Sequence, residues 1–385
     1  MNGPVLTAGS MVAHRTLQHL RQSACGLLVQ LAGLGDLIMA LPTIESLRAS
    51  LPHIRWSLLT RPANSSLLGD RLDTVRTIPW PPRPSQARTI VQEIWQLRQH
   101  RFDVAIHLYG ITSRQGALAM QALFFGIHAR MSIGRSGANT CRIFDVNQED
   151  NSMAQHEVEA NLAMLQSLGI PPVVKVPVLS PQRPAWLRVA RIVQERLVHG
   201  KSFIVLFPGG ARATRHWPVR NYAALAAALS AMDLGVCVIG DTLATQQAQY
   251  IAEAAGKHGL NLAGCLSLQD VAALLSMALV YVGNDSGPTH LAAALGVPCI
   301  ALFGPGELPR FGPRGTGVIR VLRHEVACAP CYLQTCSHHT CMRSLTPGEV
   351  LQAIAEVLAT PPSSSLPRQV SAESQAENPP PLASS

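Results

Sequence analysis

The chain has 385 residues, 47% hydrophobic and 14% charged, which is room for two domains with substantial cores. No apolar run reaches the roughly 18 to 20 residues that cross a bilayer, and the first two dozen residues carry His14, Arg15, His19 and Arg21 without an apolar signal core, so a cytoplasmic protein is expected. The formal net charge is +8: residues 1–200 hold 20 Lys and Arg against 12 Asp and Glu, residues 201–385 hold 11 of each, and aromatics at 5% are too sparse for a nucleic-acid stacking surface.

In chain order, residues 1–24 read as a flexible tail. "CGLLVQ" has the form of a strand, and Gly33-Leu34-Gly35-Asp36 turns it into a helical pattern that runs through Arg48. "IRWSLLT" is the next strand, "ARTIVQEIWQLRQH" a helix, "FDVAIHL" a strand, "RQGALAMQALFFGI" an apolar helix and "AQHEVEANLAMLQSLGI" an amphipathic one. Residues 25–180 thus form a first domain, closed by the proline-rich, non-periodic stretch Pro171 to Pro184. The pattern then repeats over 185–345. "FIVLFPGG" is strand and turn, "NYAALAAALSAM" a helix with Asn221 as cap candidate, "GVCVIGD" a strand, and "TQQAQYIAEAAGKHG" and "SLQDVAALLSMA" are helices. "LVYVGND", "SGPTHLAAALG" and "PCIALFG" follow as strand, helix and strand. A last helix over 346–360 precedes a Pro/Ser-rich tail, 361–385, expected to be disordered. Strand alternating with helix predicts an α/β chain of two Rossmann-like, doubly wound parallel sheets facing a cleft, with ligands outside the carboxyl ends of the strands.

Four stretches at such strand ends carry candidate chemistry. Asp36 follows a Gly-x-Gly bend and suits two roles, the N-cap of the next helix or a working carboxylate. The dehydrogenase fingerprint is excluded, since Gly33-Leu34-Gly35 is not followed by its third glycine. "NDSGPTHLAAALG" ends a strand and starts a helix near Pro288, the geometry that offers free N–H groups to a phosphate. His290, one turn in, suits either a satisfied, partly buried role or that site. In "PGGARATRHWP", Gly209 and Gly210 permit a tight turn around a phosphate, and Arg212 and Arg215 supply charge or a solvated basic surface. Asp241 in "VIGD" suits a ribose contact or a cap. Cys328, Cys331, Cys336 and Cys341 have C-x2-C-x4-C-x4-C spacing, compatible with a structural zinc, a disulfide or free thiols. The other five (Cys25, Cys141, Cys237, Cys265, Cys299) look mostly like small buried hydrophobes.

Taken together, "GLGDLIMALPTIESLR", "FPGGARATRHWP", "VGNDSGPTHLAAALGVPCIALFG" and the late cysteine cluster resemble the ADP-heptose:lipopolysaccharide heptosyltransferases, glycosyltransferase family 9, from about Cys25 to Leu358. The resemblance implies a GT-B fold, a donor held mainly by the second domain, an acceptor held mainly by the first, and inverting transfer needing no catalytic metal or other cofactor. It implies that Asp36 is the base, with Gly35 allowing close approach to the donor. Asp285, Ser286 and Gly287 would contact sugar and diphosphate, His290 would orient the sugar, and Asp241 would hold the nucleoside. Arg215 stands where the family usually has lysine before Trp-Pro, to neutralise the leaving diphosphate with Arg212; Gly210-Ala211 replaces a hydroxyl pair. For the cysteines it implies a structural or acceptor-side part. The expected partners are ADP-heptose, an acidic lipopolysaccharide-type acceptor and the inner membrane surface, met by Arg55, Arg61, Arg71, Arg76, Arg83 and Arg88, and no nucleic acid. Another nucleotide sugar, a protein acceptor, or binding without catalysis are the alternatives.

Overall fold

A computed structural model describes residues 8–68, 71–111, 113–137, 143–150, 155–197 and 202–359. The first half runs α1 Ala8–Gln22, β1 Cys25–Gln30, α2 Leu34–Ser50, β2 Arg55–Thr60, β3 Thr74–Thr77, α3 Ala87–Gln99, β4 Val104–Ile111, α4 Arg114–Ile127, β5 Ser132–Ser136, β6 Val146–Glu149 and α5 Glu157–Ser167. The second runs α6 Arg183–Arg196, β7 Phe203–Phe207, α7 Val219–Ala231, β8 Gly235–Val238, α8 Thr245–Ala254, β9 Gly259–Asn261, α9 Leu268–Met277, β10 Val280–Asn284, α10 Gly287–Ala294, β11 Cys299–Leu302, α11 Leu308–Phe311, β12 Ile319–Leu322, α12 Thr340–Arg343 and α13 Pro347–Ala359.

Each half builds one six-stranded sheet, ordered β3-β2-β1-β4-β5-β6 and β12-β11-β10-β7-β8-β9, with every pairing parallel. Counted from its own first strand, the second sheet repeats the topology of the first. The order reverses between β1 and β4 and again between β7 and β10, and such switch points open a crevice at the carboxyl ends. The strands flanking them bury both faces: Leu27, Leu28 and Val29 of β1 and Val280, Tyr281 and Val282 of β10 are fully enclosed. That is why they read in sequence as short continuous apolar runs.

Three expectations change. The stretch read as a loose tail contains α1, whose Leu20 is fully buried and whose His19 ring lies 3.0 Å from the Asp103 carbonyl. Helix α7 begins at Val219, capped by the backbone at Pro218, so Asn221 lies inside it and its amide donates to the Leu345 carbonyl (3.3 Å). Strands β3, β5, β6, β9 and β12 were not anticipated; they are short and largely outer, and "TVRT" and "VNQE" carry almost no apolar signal. The disordered tail expected over 361–385 lies outside the described residues, as does Cys141. Cys237 and Cys299 are buried as expected, Cys25 is half-buried and Cys265 is exposed. Among the described residues no helix is long and apolar enough to cross a membrane.

Candidate active site

After β1 the chain passes through Gly33 into α2. Asp36 is the third residue of that helix rather than its cap, and its Oδ2 accepts the Gly33 N–H at 2.8 Å. The carboxylate therefore closes a helix start that glycine, lacking a side chain, cannot close for itself. Gln30, fully buried at the end of β1, fixes the turn: its Nε2 donates to the carbonyls of Leu108 (3.1 Å) and Asp36 (3.2 Å), and its Oε1 accepts from the Ala32 N–H (2.8 Å).

The opposite wall is built around Asn284, the last residue of β10. Its Oδ1 accepts from the Trp217 N–H and the Tyr222 hydroxyl, both at 3.0 Å, and its Nδ2 donates to the carbonyls of Pro208 (2.8 Å) and Gly209 (2.9 Å). One buried amide thus locks the loop after β7 onto the end of β10. Gly210 sits at φ +143°, open to glycine and strained for other residues, and its carbonyl accepts from His216 Nε2 (2.9 Å). This places Arg215 against Asp285, Nη1 to Oδ2 at 2.9 Å, with the carboxylate 3% exposed and the guanidinium 23%. Burial lifts the Asp285 carboxyl to about 6 against the pull of Arg215 and Arg212. Arg212 Nη1 and Arg215 Nε are buried without a hydrogen-bond partner among the described residues, so both guanidiniums retain donors for an anion. Ser286 is the backbone cap of α10, Gly287 and Pro288 form its first turn, and the Ser286 hydroxyl donates to the Asn284 carbonyl (3.0 Å).

The two walls meet. A Cβ on Gly35 would lie 2.7 Å from His290 Cδ2, and one on Gly287 would lie 2.8 Å from the Leu34 Cβ. Both glycines are therefore close-approach positions between the starts of α2 and α10, and His290 packs directly on the Asp36 turn. Burial first, then the neighbouring His156 and Arg215, depress the His290 pKa to about 4, so its ring is neutral at physiological pH. Asp36 is half-buried and crowded by both halves, and this desolvation raises its carboxyl to about 6, partly offset by the Gly33 N–H; Glu157 raises it further, while Arg310 and Arg215 lower it.

Glu157 and Arg310 were not singled out in the sequence. Glu157 opens α5 in the first half, fully buried, and contacts Arg135, which also binds Asp150 (2.7 Å) and Asn161 (3.0 Å). Arg310 comes from α11 in the second half, 3.5 Å from Glu157 Oε2 and stacked 4.6 Å from the Phe311 ring centre. Beside it, His156 Nε2 donates to the Gly312 carbonyl (2.8 Å), Arg314 pairs with Glu159 (3.1 Å), and Phe311 packs on Met39, Val158 and Leu162. The one available signal was an arginine inside the Gly/Pro-rich "GPGELPRFGPRG" after a strand.

Asp241 is exposed and caps a short helical turn, its Oδ1 accepting from the Leu243 and Ala244 N–H groups at 3.0 Å, which leaves its Oδ2 open to a ligand hydroxyl. The four late cysteines are free thiols lining one small cavity with His338, His339 and Thr214. Burial and the neighbouring Cys328 and Cys336 push the Cys341 thiol up. Among the described residues, no group of three or more His, Cys, Asp or Glu side chains forms a metal-ligand set. The segment braces the arginine loop: His339 Nε2 donates to the Thr214 carbonyl (2.8 Å), and the Thr214 hydroxyl donates to the Leu333 carbonyl (2.9 Å).

The chain is 22% identical over 336 residues to lipopolysaccharide heptosyltransferase 3 of Escherichia coli, covering 84% of this chain and 96% of that protein. It is 26% identical over 169 residues to lipooligosaccharide heptosyltransferase 2 of Campylobacter jejuni; that match spans 42% of this chain and about half, 53%, of that relative. The fold is that of the E. coli ADP-heptose lps heptosyltransferase II structure, with TM-score 0.71 at 21% identity, covering 86% of this chain and 98% of that one. The two facing sheets are thus a GT-B architecture. With the model of glycosyltransferase family 9 (heptosyltransferase) matching residues 91–341, the chain belongs to that family.

Proposed function

We propose that this chain is an inverting heptosyltransferase that moves heptose from ADP-heptose to a hydroxyl of a lipopolysaccharide core on the cytoplasmic side of the membrane. The reading is carried by the seam at Gly35 and His290, which sets the Asp36 turn of one sheet directly against the phosphate-type turn of the other. Asp36 takes the acceptor hydroxyl's proton as that oxygen attacks the anomeric carbon. The bond from the anomeric carbon to the diphosphate oxygen breaks, and ADP leaves with the electron pair. A carboxyl titrating near 6 is ionised at pH 7, yet more basic than an ordinary aspartate, which suits a general base. Charge building on the diphosphate is met by Arg215 and Arg212, with their unpartnered N–H groups, and by the start of α10 at Ser286 and Gly287. Gly209 and Gly210 leave room for the phosphates, Asp285 and neutral His290 orient the sugar, and Asp241, just after the carboxyl end of β8, faces the ribose. The cysteine segment acts structurally, by supporting the arginine loop.

The test is Asp36→Asn in an assay of ADP release with a core acceptor, alongside ADP binding by calorimetry. Loss of turnover with ADP affinity kept supports the reading; retained turnover, or loss of ADP binding, refutes it. ADP-heptose raising the melting temperature where UDP-sugars do not separates this donor from another nucleotide sugar.

A further inference from the structure

Helices α3 and α4 pack side by side over the first sheet, with Ile94 against Gly126. Their outer faces leave Val91 (65% exposed), Trp95 (61%), Leu118 (63%) and Phe125 (79%) open. The spacing is helical. Arg88, Val91, Trp95 and Arg98 follow one another down one side of α3, and Arg114, Leu118 and Phe125 down one side of α4. Trp95 and Phe125 are each one residue from the Ile94–Gly126 contact, so the two stripes adjoin.

Charge on this face has one sign. Arg88, Arg98 and Arg114 are exposed, while Glu93, the one acidic residue on either helix, is held by Arg76 at 3.2 Å. The arginines expected to meet an acidic partner are partly committed elsewhere: Arg71 pairs with Glu45 (2.9 Å) and Arg76 with Glu93. Arg88, Arg98 and Arg114 therefore flank the exposed apolar stripe with no acid on either helix left to neutralise them. A helix face of aromatic and aliphatic side chains flanked by arginine, with its acid neutralised, matches a surface that is apolar below and anionic at its boundary. A protein partner of ordinary mixed charge would not call for that bias. In a parallel β-α-β connection the helix runs antiparallel to its strands, so Arg88 and Arg114, at the helix starts, lie at the end of the sheet where the cleft opens.

We infer that the outer face of α3 and α4 docks on an anionic phospholipid surface, with Trp95 and Phe125 entering the headgroup layer and Arg88, Arg98 and Arg114 meeting lipid phosphates. This rests on, and deepens, the reading that the acceptor is a membrane glycolipid, because the face would hold the cleft mouth beside the bilayer that carries it.

The experiment uses the full chain and vesicles free of any glycolipid, either phosphatidylcholine alone or with about one-third phosphatidylglycerol. Cosedimentation should show binding to the anionic vesicles that weakens with added salt. Tryptophan emission should shift to the blue on binding; Trp56 and Trp217 are already buried, and loss of the shift in Trp95→Ser/Phe125→Ser assigns it to Trp95 rather than to half-buried Trp80 or Trp186. Trp95→Ser/Phe125→Ser and, separately, Arg88→Gln/Arg98→Gln/Arg114→Gln should each lower binding about tenfold or more. Trp95→Ser/Phe125→Ser should keep wild-type turnover on a soluble, lipid-free core acceptor. Equal binding to both vesicle types, or unchanged binding by both variants, overturns the inference. So does a wild-type dimer in solution that Trp95→Ser/Phe125→Ser dissolves, which would assign the face to a second copy. Failure of the heptosyltransferase reading registers separately, as absent turnover on the soluble acceptor.

Discussion

Replacing Asp36 by asparagine separates the catalytic role proposed for it from its structural one. The carboxyl is raised from 3.8 to about 6, chiefly by burial, so the ionised form is disfavoured in the folded chain. About two pKa units at 1.36 kcal/mol each give roughly 3 kcal/mol as the upper bound of that penalty. The sign follows from proton binding. Below about pH 4 the group is protonated in both folded and unfolded chains and makes no difference; as pH rises toward and through 6 the unfolded chain gives up its proton first, and stability is lost. Asparagine never ionises, and its Oδ1 can still accept the Gly33 N–H that closes the start of α2. Asp36→Asn should therefore unfold at higher urea than wild type at pH 8, by up to about 3 kcal/mol, with the gain disappearing near pH 4. Turnover should fall by about 10²- to 10⁴-fold. The shifted carboxyl of Asp285 is present in both proteins and cancels. A variant no more stable than wild type at pH 8, or equally stabilised at both pH values, would show that the carboxylate is not held under desolvation at this seam.

The groups facing Asp36 give a test by opposite signs. In kcat/KM against pH, Arg310→Met should move the acid limb upward and Glu157→Gln downward, because one removes a cation and the other an anion; movement in the same direction would refute the network. Gly35→Ala puts a methyl group 2.7 Å from the buried His290 ring, so it should cost about 1 to 3 kcal/mol of stability and raise the donor KM; small-angle scattering should show a wider chain. Arg215→Ala should lower kcat by about 10²- to 10³-fold and Arg215→Lys by less, measured at saturating donor, since lysine keeps the charge and loses the fork. With a thiol reagent, exposed Cys265 and Cys328 should react first, Cys341 later, and buried Cys237, whose thiol burial raises to about 12, not until unfolding.

Much of the fold was legible because its central elements carry their own signal. A strand buried on both faces must be apolar at nearly every position, so "CGLLVQ", "FIVLF" and "LVYVGN" announce β1, β7 and β10, and the turns after them mark the cleft. Helix α4 coincides with its sequence pattern, Arg114–Ile127. Edge strands such as β3 and β6 are held mainly by one neighbour's hydrogen bonds, which "TVRT" and "VNQE" make through backbone alone. Likewise α1 was missed because Leu20 gains its value only from the surface it meets.

The candidate site divides along the same line. Glycine, aspartate and proline at strand ends declare a phosphate-type turn from local conformational preference, and that much the sequence determined: two parallel sheets, their turns, and Asp36 and Asp285 at the mouths. Whether Asp36 caps its helix or occupies its third position depends on which N–H is left unsatisfied, and only the folded turn decides that. The contact of Gly35 with His290, and the meeting of Arg310 with Glu157, join residues far apart in the chain. No local pattern encodes them, because desolvation and Coulomb interaction depend on distance in space, and that distance exists only once the two sheets face each other.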